Sequence, residues 1–195
     1  MSTLRIIDAE QVATARWKNG GGTTRALLSL PSEDSWHLRI TLADVEQDGP
    51  FSPYPGIQRW IAIVEGWGVR LEFDDRRQTL SPGDEPLAFD GGAPPHGHLV
   101  QGPTRDLNLM SRGGRAGMHR ALPGTPWRAR QRSCGLFALQ SGTWSCADGR
   151  RVQLASHALL WFDDAPPQDM VFEQAGLWLE FSAPGHSDNG ACSST

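Results

Sequence analysis

The chain has 195 residues, 38% of them hydrophobic and 21% charged, with a formal net charge of −4. That length holds one sizeable domain or two small halves, and the composition excludes a disordered chain. The acidic balance speaks against a nucleic-acid partner, and no apolar run approaches the roughly 18 residues of a membrane span.

Short apolar runs separated by turn clusters dominate, and 22 glycines and 14 prolines break every helical period. The pattern predicts an all-β fold. In chain order the expected strands are Arg5–Ile7, Thr24–Leu30, His37–Val45, Gln58–Val64, Gly68–Phe73, Pro86–Phe89, Leu107–Met110, Gly135–Ser141, Gly142–Cys146, Arg151–Ala155, Ala158–Phe162 and Leu177–Phe181. The arginine-rich stretch from Arg112 to Arg132 reads as a solvated connector, and the small polar residues 184–195 as a disordered tail. The N-terminus, Met1-Ser2-Thr3-Leu4-Arg5, lacks the apolar core of a secretory signal. Three cysteines, Cys134, Cys146 and Cys192, are odd in number and show no Cys-x-x-Cys spacing, so a reduced, cytoplasmic protein is expected.

The densest feature is Trp17-Lys18-Asn19-Gly20-Gly21-Gly22-Thr23-Thr24-Arg25. Three glycines in a row give up side-chain packing, and a chain keeps them where the backbone must turn or pass close to another group. Two readings follow from the residues: a flexible turn between strands, or a loop lining the mouth of a ligand pocket. A phosphate-binding P-loop is excluded, because Lys18 precedes the glycines instead of following them.

This run resembles the signature of the HutD/Ves family, small bacterial proteins often linked to histidine utilisation. Three later segments resemble the same family in the same order: Trp36–Ala43, Gly49–Arg59 and Gly102–Met110. Two positions depart from it. Ala26 stands where the family tends to have an acid, and His37 where it often has an aromatic residue. The resemblance implies a two-cupin fold closed into one compact unit. The divisions expected are an N-terminal half at 1–115, a C-terminal half at 116–183 and the tail.

A faint repeat points the same way. Ile63-Val64-Glu65-Gly66-Trp67 resembles Leu139–Trp144, and Phe89-Asp90 resembles Phe162-Asp163, at an offset of about 75 residues. Chance likeness between hairpins is the alternative. The cupin pattern Gly-x5-His-x-His-x3-Glu-x6-Gly can be laid on Gly49, Pro55, Ile57, Ile61 and Gly68. Pro55, Ile57 and Ile61 then occupy the ligand slots, and none offers imidazole nitrogen or carboxylate oxygen, so no metal and no other cofactor is expected. His96-Gly97-His98 is the one tempting ligand pair, and Pro94 and Pro95 place it in a surface loop. No nucleophile motif is present.

The stronger signal is polar residues on inward faces. Alternation sets His37, Arg39 and Thr41 against Leu38, Ile40 and Leu42. It puts Arg59 beside Ile61 and Ile63, and Asp106 and Asn108 beside Met110. An inward arginine must be paired or hold an anion. Asp106 is the internal partner in the first case. In the second, Arg39 or Arg59 grips a carboxylate through its planar fork, Asn108 reads an amide or formyl group, Lys18 and Asn19 close the mouth, and Trp17 supplies an apolar wall. The expected function is binding of a small anionic metabolite, with a regulatory role in amino-acid catabolism and a homodimer left open. The resemblance implies urocanate or formyl- or formimino-glutamate as ligands. A metal-free isomerase or hydrolase acting on such compounds is the rival, with Asp106 or a histidine moving the proton.

Overall fold

The computed structural model describes residues 4–185; the expected tail lies, from residue 186 onward, outside the described residues, as does Cys192. The described chain is almost entirely β, with a single 3-10 turn at Ala9–Gln11. Four sheets form two sandwiches. In the first, a six-stranded sheet runs in the order Thr14–Arg16, Gly22–Pro31, Trp36–Val45, Thr104–Arg112, Ile57–Gly66, Leu87–Asp90. It faces a four-stranded sheet of Gly49–Pro50, His96–Leu99, Val69–Glu72 and Arg77–Leu80. In the second, a five-stranded sheet of Leu4–Asp8, Ala158–Phe162, Ser133–Ala138, Gly176–Ser182 and Arg115–Ala121 faces a three-stranded sheet of Arg151–Leu154, Gly142–Cys146 and Met170–Phe172.

The two large sheets pack back to back. Alternation makes this possible: Leu38, Ile40 and Leu42 leave one face of their strand, Leu107 and Leu109 leave the same face of the next, and all five are fully buried against Phe137, Leu159, Trp161 and Leu179. The N-terminal strand Leu4–Asp8 belongs to the second sandwich, pairing with Ala158–Phe162.

Each sandwich also has its own interior. The second is filled by Leu136, Trp144, Leu160, Phe162, Phe172 and Trp178. The first has a smaller apolar core of Ile61, Ile63, Val69, Leu71, Leu80 and Phe89. Both repeat the same path: a strand of the large sheet, a hairpin in the small sheet, and a return strand pairing antiparallel with the first. Ile57–Gly66 and Leu87–Asp90 pair as Arg59↔Phe89, and Ser133–Ala138 and Ala158–Phe162 pair as Cys134↔Phe162.

Several segments differ from the sequence-based expectation, Thr14–Arg16, Arg77–Leu80 and Met170–Phe172 being strands it did not include. His96–Leu99 is a strand, not a surface loop; Gly97 makes room for it, since a Cβ there would lie 2.8 Å from the Phe51 ring. Arg115–Ala121 is an edge strand of the five-stranded sheet, with Gly117, Met118 and Ala121 buried between charged residues. The rest of the supposed connector is tied down too, because Trp127 stacks on Trp178 at 4.7 Å and Arg132 N donates to Ser182 Oγ at 2.9 Å.

Candidate functional site

The inner face of the six-stranded sheet is a small lattice of side chains. Three rungs run across its central strands: Arg59, Met110, Arg39; then Ile61, Asn108, Thr41; then Ile63, Asp106, Ala43. Apolar residues close one side, and the polar ones floor a cavity of about 490 Å³. The opposite wall is the loop through Phe51, Ser52 and Tyr54, with Gly97 behind it, and the mouth is the hairpin carrying Arg16 to Gly21. All seven residues singled out from sequence, Trp17, Lys18, Asn19, Arg39, Arg59, Asp106 and Asn108, line this one cavity.

The glycine run is a tight connection, not a slack one. Thr14–Arg16 pairs with the start of Gly22–Pro31 through Arg16↔Thr23. Asn19 Oδ1 accepts from Gly21 N at 3.0 Å, Gly20 N donates to Trp17 O at 3.0 Å, and Gly20 sits at φ +73. Gly22 is forced by close approach: a Cβ would stand 2.2 Å from Asp44 O. Trp17 Nε1 donates to Thr24 Oγ1 at 2.6 Å, which fixes the indole as a wall. Arg25 faces the other way and binds Asp44 at 2.6 Å, in a cluster with Arg105, Glu10 and Glu65. Ala26, where the resemblance leads one to expect an acid, stands opposite Thr41.

At the cavity floor Arg59 is 5% exposed. Its Nη2 donates to Asn108 Oδ1 at 2.9 Å and its Nη1 to Ser52 O at 3.3 Å. Phe89, Phe51 and Tyr54 surround its guanidinium at 4.9, 5.4 and 5.6 Å from the ring centroids. Asn108 in turn donates from Nδ2 to Asp106 Oδ1. Arg59 and Asp106 are thus joined through an amide, not by direct contact. Asp106 is 1% exposed. Burial pushes its carboxyl up to about 7, and Arg59 and Asn108 pull it back only in part.

Arg39 has no such arrangement. Its Nε, like that of Arg59, is buried without a hydrogen-bond partner, and its guanidinium forms no ion pair among the described residues. Of the two inward arginines, Arg59 is internally committed and Arg39 is not. Lys18 and Arg16 add charge at the exposed rim.

The other sites singled out from sequence fall elsewhere. Of the cupin slots, Ile57 and Ile61 are buried and Pro55 is exposed. The His96 and His98 rings lie 4.6 Å apart, tilted by 33°, and His98 lies between Asp48 at 3.1 Å and Glu72 at 3.4 Å. Among the described residues no group of three or more His, Cys, Asp or Glu could hold a metal ion. Sequence reasoning missed Thr41, Phe51, Ser52, Tyr54 and Asp48 as lining residues. Alternation already placed Thr41 with Arg39, and the Phe51–Tyr54 stretch lay inside a resembling segment.

Register also shows what the second sandwich holds in the same places. Cys134, Glu180 and Gly117 stand for Arg59, Met110 and Arg39; Leu136, Trp178 and His119 stand for Ile61, Asn108 and Thr41; Gly176 stands for Asp106. The Trp178 ring and the Trp127 ring stacked on it occupy the place corresponding to the first cavity's polar floor.

The HutD family model matches residues 9–179. An uncharacterised 21.2 kDa protein from the hutC 3′ region of Pseudomonas putida is 36% identical over 113 residues, 56% of this chain and 59% of that relative. Protein Ves of Citrobacter koseri is 26% identical over 162 residues, covering 82% and 84% of the two chains. Among solved structures, HutD from Pseudomonas fluorescens SBW25 superposes with a TM-score of 0.83 at 23% identity, over 94% of this chain and 100% of that one. A cupin 2 conserved barrel domain protein from Leptotrichia buccalis, at 11% identity, gives 0.56 over 91% and 96%, a likeness of fold alone.

Proposed function

This chain belongs to the HutD family, and on that premise we propose that it binds a small anionic metabolite in histidine or related amino-acid catabolism, in a regulatory role. The observation that carries the reading is Arg39: a half-buried guanidinium with no internal partner, facing the cavity. A guanidinium whose N–H groups have no protein acceptor is suited to hold a carboxylate in its planar fork. Thr41 and the second N–H of Asn108 supply neutral donors beside it, and the aromatic wall of Phe51 and Tyr54 suits a planar or short-chain body. Urocanate and formyl- or formimino-glutamate have these features. The hutC region named for the Pseudomonas putida relative supports a setting in histidine utilisation.

A thermal-shift series with these acids tests the reading. A ligand at a hundred times its Kd adds about 2.7 kcal/mol, roughly 5–10 °C in a chain of this size. Arg39→Gln should weaken binding about ten- to a hundredfold, the value of one charge-assisted contact, while leaving the melting temperature of the free protein nearly unchanged. Equal binding by wild type and Arg39→Gln refutes it.

One observation favours a second reading. A carboxyl near neutrality inside a cavity is suited to general acid–base chemistry, so Asp106 could move a proton on the bound compound. Turnover followed by proton NMR, abolished in Asp106→Asn, separates an enzyme from a binding protein.

A further inference from the structure

The cavity joins two groups whose charges are coupled to any ligand between them. Asp106 forms one part of the floor and the uncommitted Arg39 another, and a cavity of about 490 Å³ is on the order of 10 Å across. An anion held by Arg39 therefore lies within that distance of a carboxyl that is cut off from water. We infer that the cavity takes up one proton with each anion, the proton passing from bulk solvent to Asp106, so that pH sets the protein's affinity. The inference rests on the anion-binding reading and specifies how that site is regulated.

The surroundings of Asp106 direct the proton there. From its own strand comes Asn108, whose Nδ2 is a donor and holds one carboxyl oxygen as an acceptor. The other oxygen is left to carry the proton. From Ile57–Gly66 comes Arg59, already bonded to Asn108 and Ser52. Trp36–Val45 contributes Arg39 on the cavity side and Asp44 on the far side. Asp44, bound to Arg25 and Arg105, adds a like charge. The mouth contributes Arg16 and Lys18, and the facing loop Asp48 and Tyr54. No histidine is among the residues lining the cavity; His98 stands behind Asp48, bonded to it at 3.1 Å. Asp106 is thus the lining group whose ionised form an incoming carboxylate would most directly oppose. Its ordinary value is already raised to about 7 before any anion enters.

The size of the coupling follows from Coulomb's law. Two like charges roughly 7 Å apart at an effective dielectric of about 20 disfavour each other by on the order of thirty- to a hundredfold in affinity. The dissociation constant should be flat below about pH 6, where Asp106 is already protonated. It should then rise by up to about tenfold per pH unit, levelling once the full coupling is spent. The probes are N-formyl-L-glutamate and N-acetyl-L-glutamate, neither of which titrates between pH 6 and 9. Titration calorimetry at pH 6, 7, 8 and 9 gives the affinity. At pH 8, heats in phosphate and in Tris give the proton count, which should approach one proton taken up per anion. Asp106→Asn keeps the acceptor for Asn108 and resembles the protonated acid, so its affinity should not change with pH and its proton count should be zero. Wild-type binding that is flat from pH 6 to 9 overturns the inference and leaves anion binding standing. A slope that survives in Asp106→Asn assigns the proton to another group, such as His98, and also overturns it. If neither probe nor any acid of the series binds at any pH, the anion-binding reading falls and takes this inference with it.

Discussion

Replacing Arg59 with alanine separates the two things this side chain does. It makes two hydrogen bonds, at 2.9 and 3.3 Å, and sits among three rings, so its removal loses contacts at any pH. Those contacts are worth about 2–3 kcal/mol after the guanidinium's own desolvation is returned. It is also the cation that draws the carboxyl of Asp106 down against burial. In the wild type that carboxyl ionises at about 7 when folded and about 4 when unfolded, so stability falls as pH rises between those values and then levels off. Without Arg59 the folded carboxyl stays protonated to higher pH, and the fall continues past 7. The cost of the substitution should therefore grow by about 2 kcal/mol between pH 5.5 and pH 8.5, taking it to about 4–5 kcal/mol. Urea denaturation of wild type, Arg59→Ala, Asp106→Asn and the double variant at both pH values reads this directly. In the Asp106→Asn background the cost of losing Arg59 should be the same at both. An equal cost at both pH values in the wild-type background would mean that Arg59 does not act as the counter-charge of Asp106.

Other expectations follow from single contacts. Gly22→Ala drives a Cβ to within 2.2 Å of Asp44 O, so the hairpin must shift; stability should drop by about 1–3 kcal/mol and the acid-induced thermal shift should shrink, and an unaltered shift would detach the hairpin from the site. Trp178→Ala removes the filling of the second sandwich and unstacks Trp127, at about 3–5 kcal/mol in denaturation, yet it should create no carboxylate affinity because Gly117 stands where Arg39 would be needed. Burial alone would raise Asp44, but hydrogen bonds from Arg105 and Arg25 hold it below its ordinary value. Its stabilisation is present above about pH 4 and lost as pH falls through the lowered value, so Asp44→Asn should be less stable at pH 7 and lose less on acidification to pH 3.

Much of the first sandwich was legible in the sequence. The strand Trp36–Val45 announces two faces by alternation, and Leu38, Ile40 and Leu42 do lie in the core while Arg39 and Thr41 line the cavity. The same rule placed Arg59, Asp106 and Asn108 on the cavity face. Which arginine is free was not legible, because that depends on Asn108 reaching Arg59 across 49 residues of chain and on Ser52 offering its carbonyl. Nor was the pairing of Arg59 with Asp106 through an amide. The missed strands have a common cause. Thr14–Arg16 is exposed at all three positions, and Arg115–Ala121 mixes arginine and histidine with glycine, so neither shows a period of two in hydrophobicity. Their strand character comes from partners across the sheet, Thr23 to Arg25 in one case and Gly176 to Ser182 in the other. The back-to-back packing of the two large sheets is likewise a property of surfaces, and no local window of sequence records which apolar face meets which.

The contrast between the two sandwiches bears on why the cavity is there at all. At the rung where the first has Arg39, Met110 and Arg59, the second has Gly117, Glu180 and Cys134. Glu180 is a buried charge too, but it is answered from inside: burial would raise it, yet His119 at 3.4 Å and the backbone N–H groups of Arg130 and Gln131, at 2.7 and 3.3 Å, hold it below its ordinary value. The chain spends its Arg128–Arg132 stretch on that answer, and Trp127 and Trp178 take the remaining space. The first sandwich has the same framework and the means to do likewise. A carboxylate placed opposite Arg39, or a tryptophan in place of Asn108, would satisfy the charge or fill the void at no cost to the backbone. Instead Ala43 and Thr41 keep the floor low, Gly97 lets Phe51 stand back as a wall, and the hairpin is folded tightly enough to hold Trp17 and Lys18 at the mouth. A guanidinium without an internal partner and an open cavity beside it occur together in only the first of two otherwise matching units. Packing does not account for that pairing, and the proposed anionic ligand, which would bring both charge and volume, is what it fits.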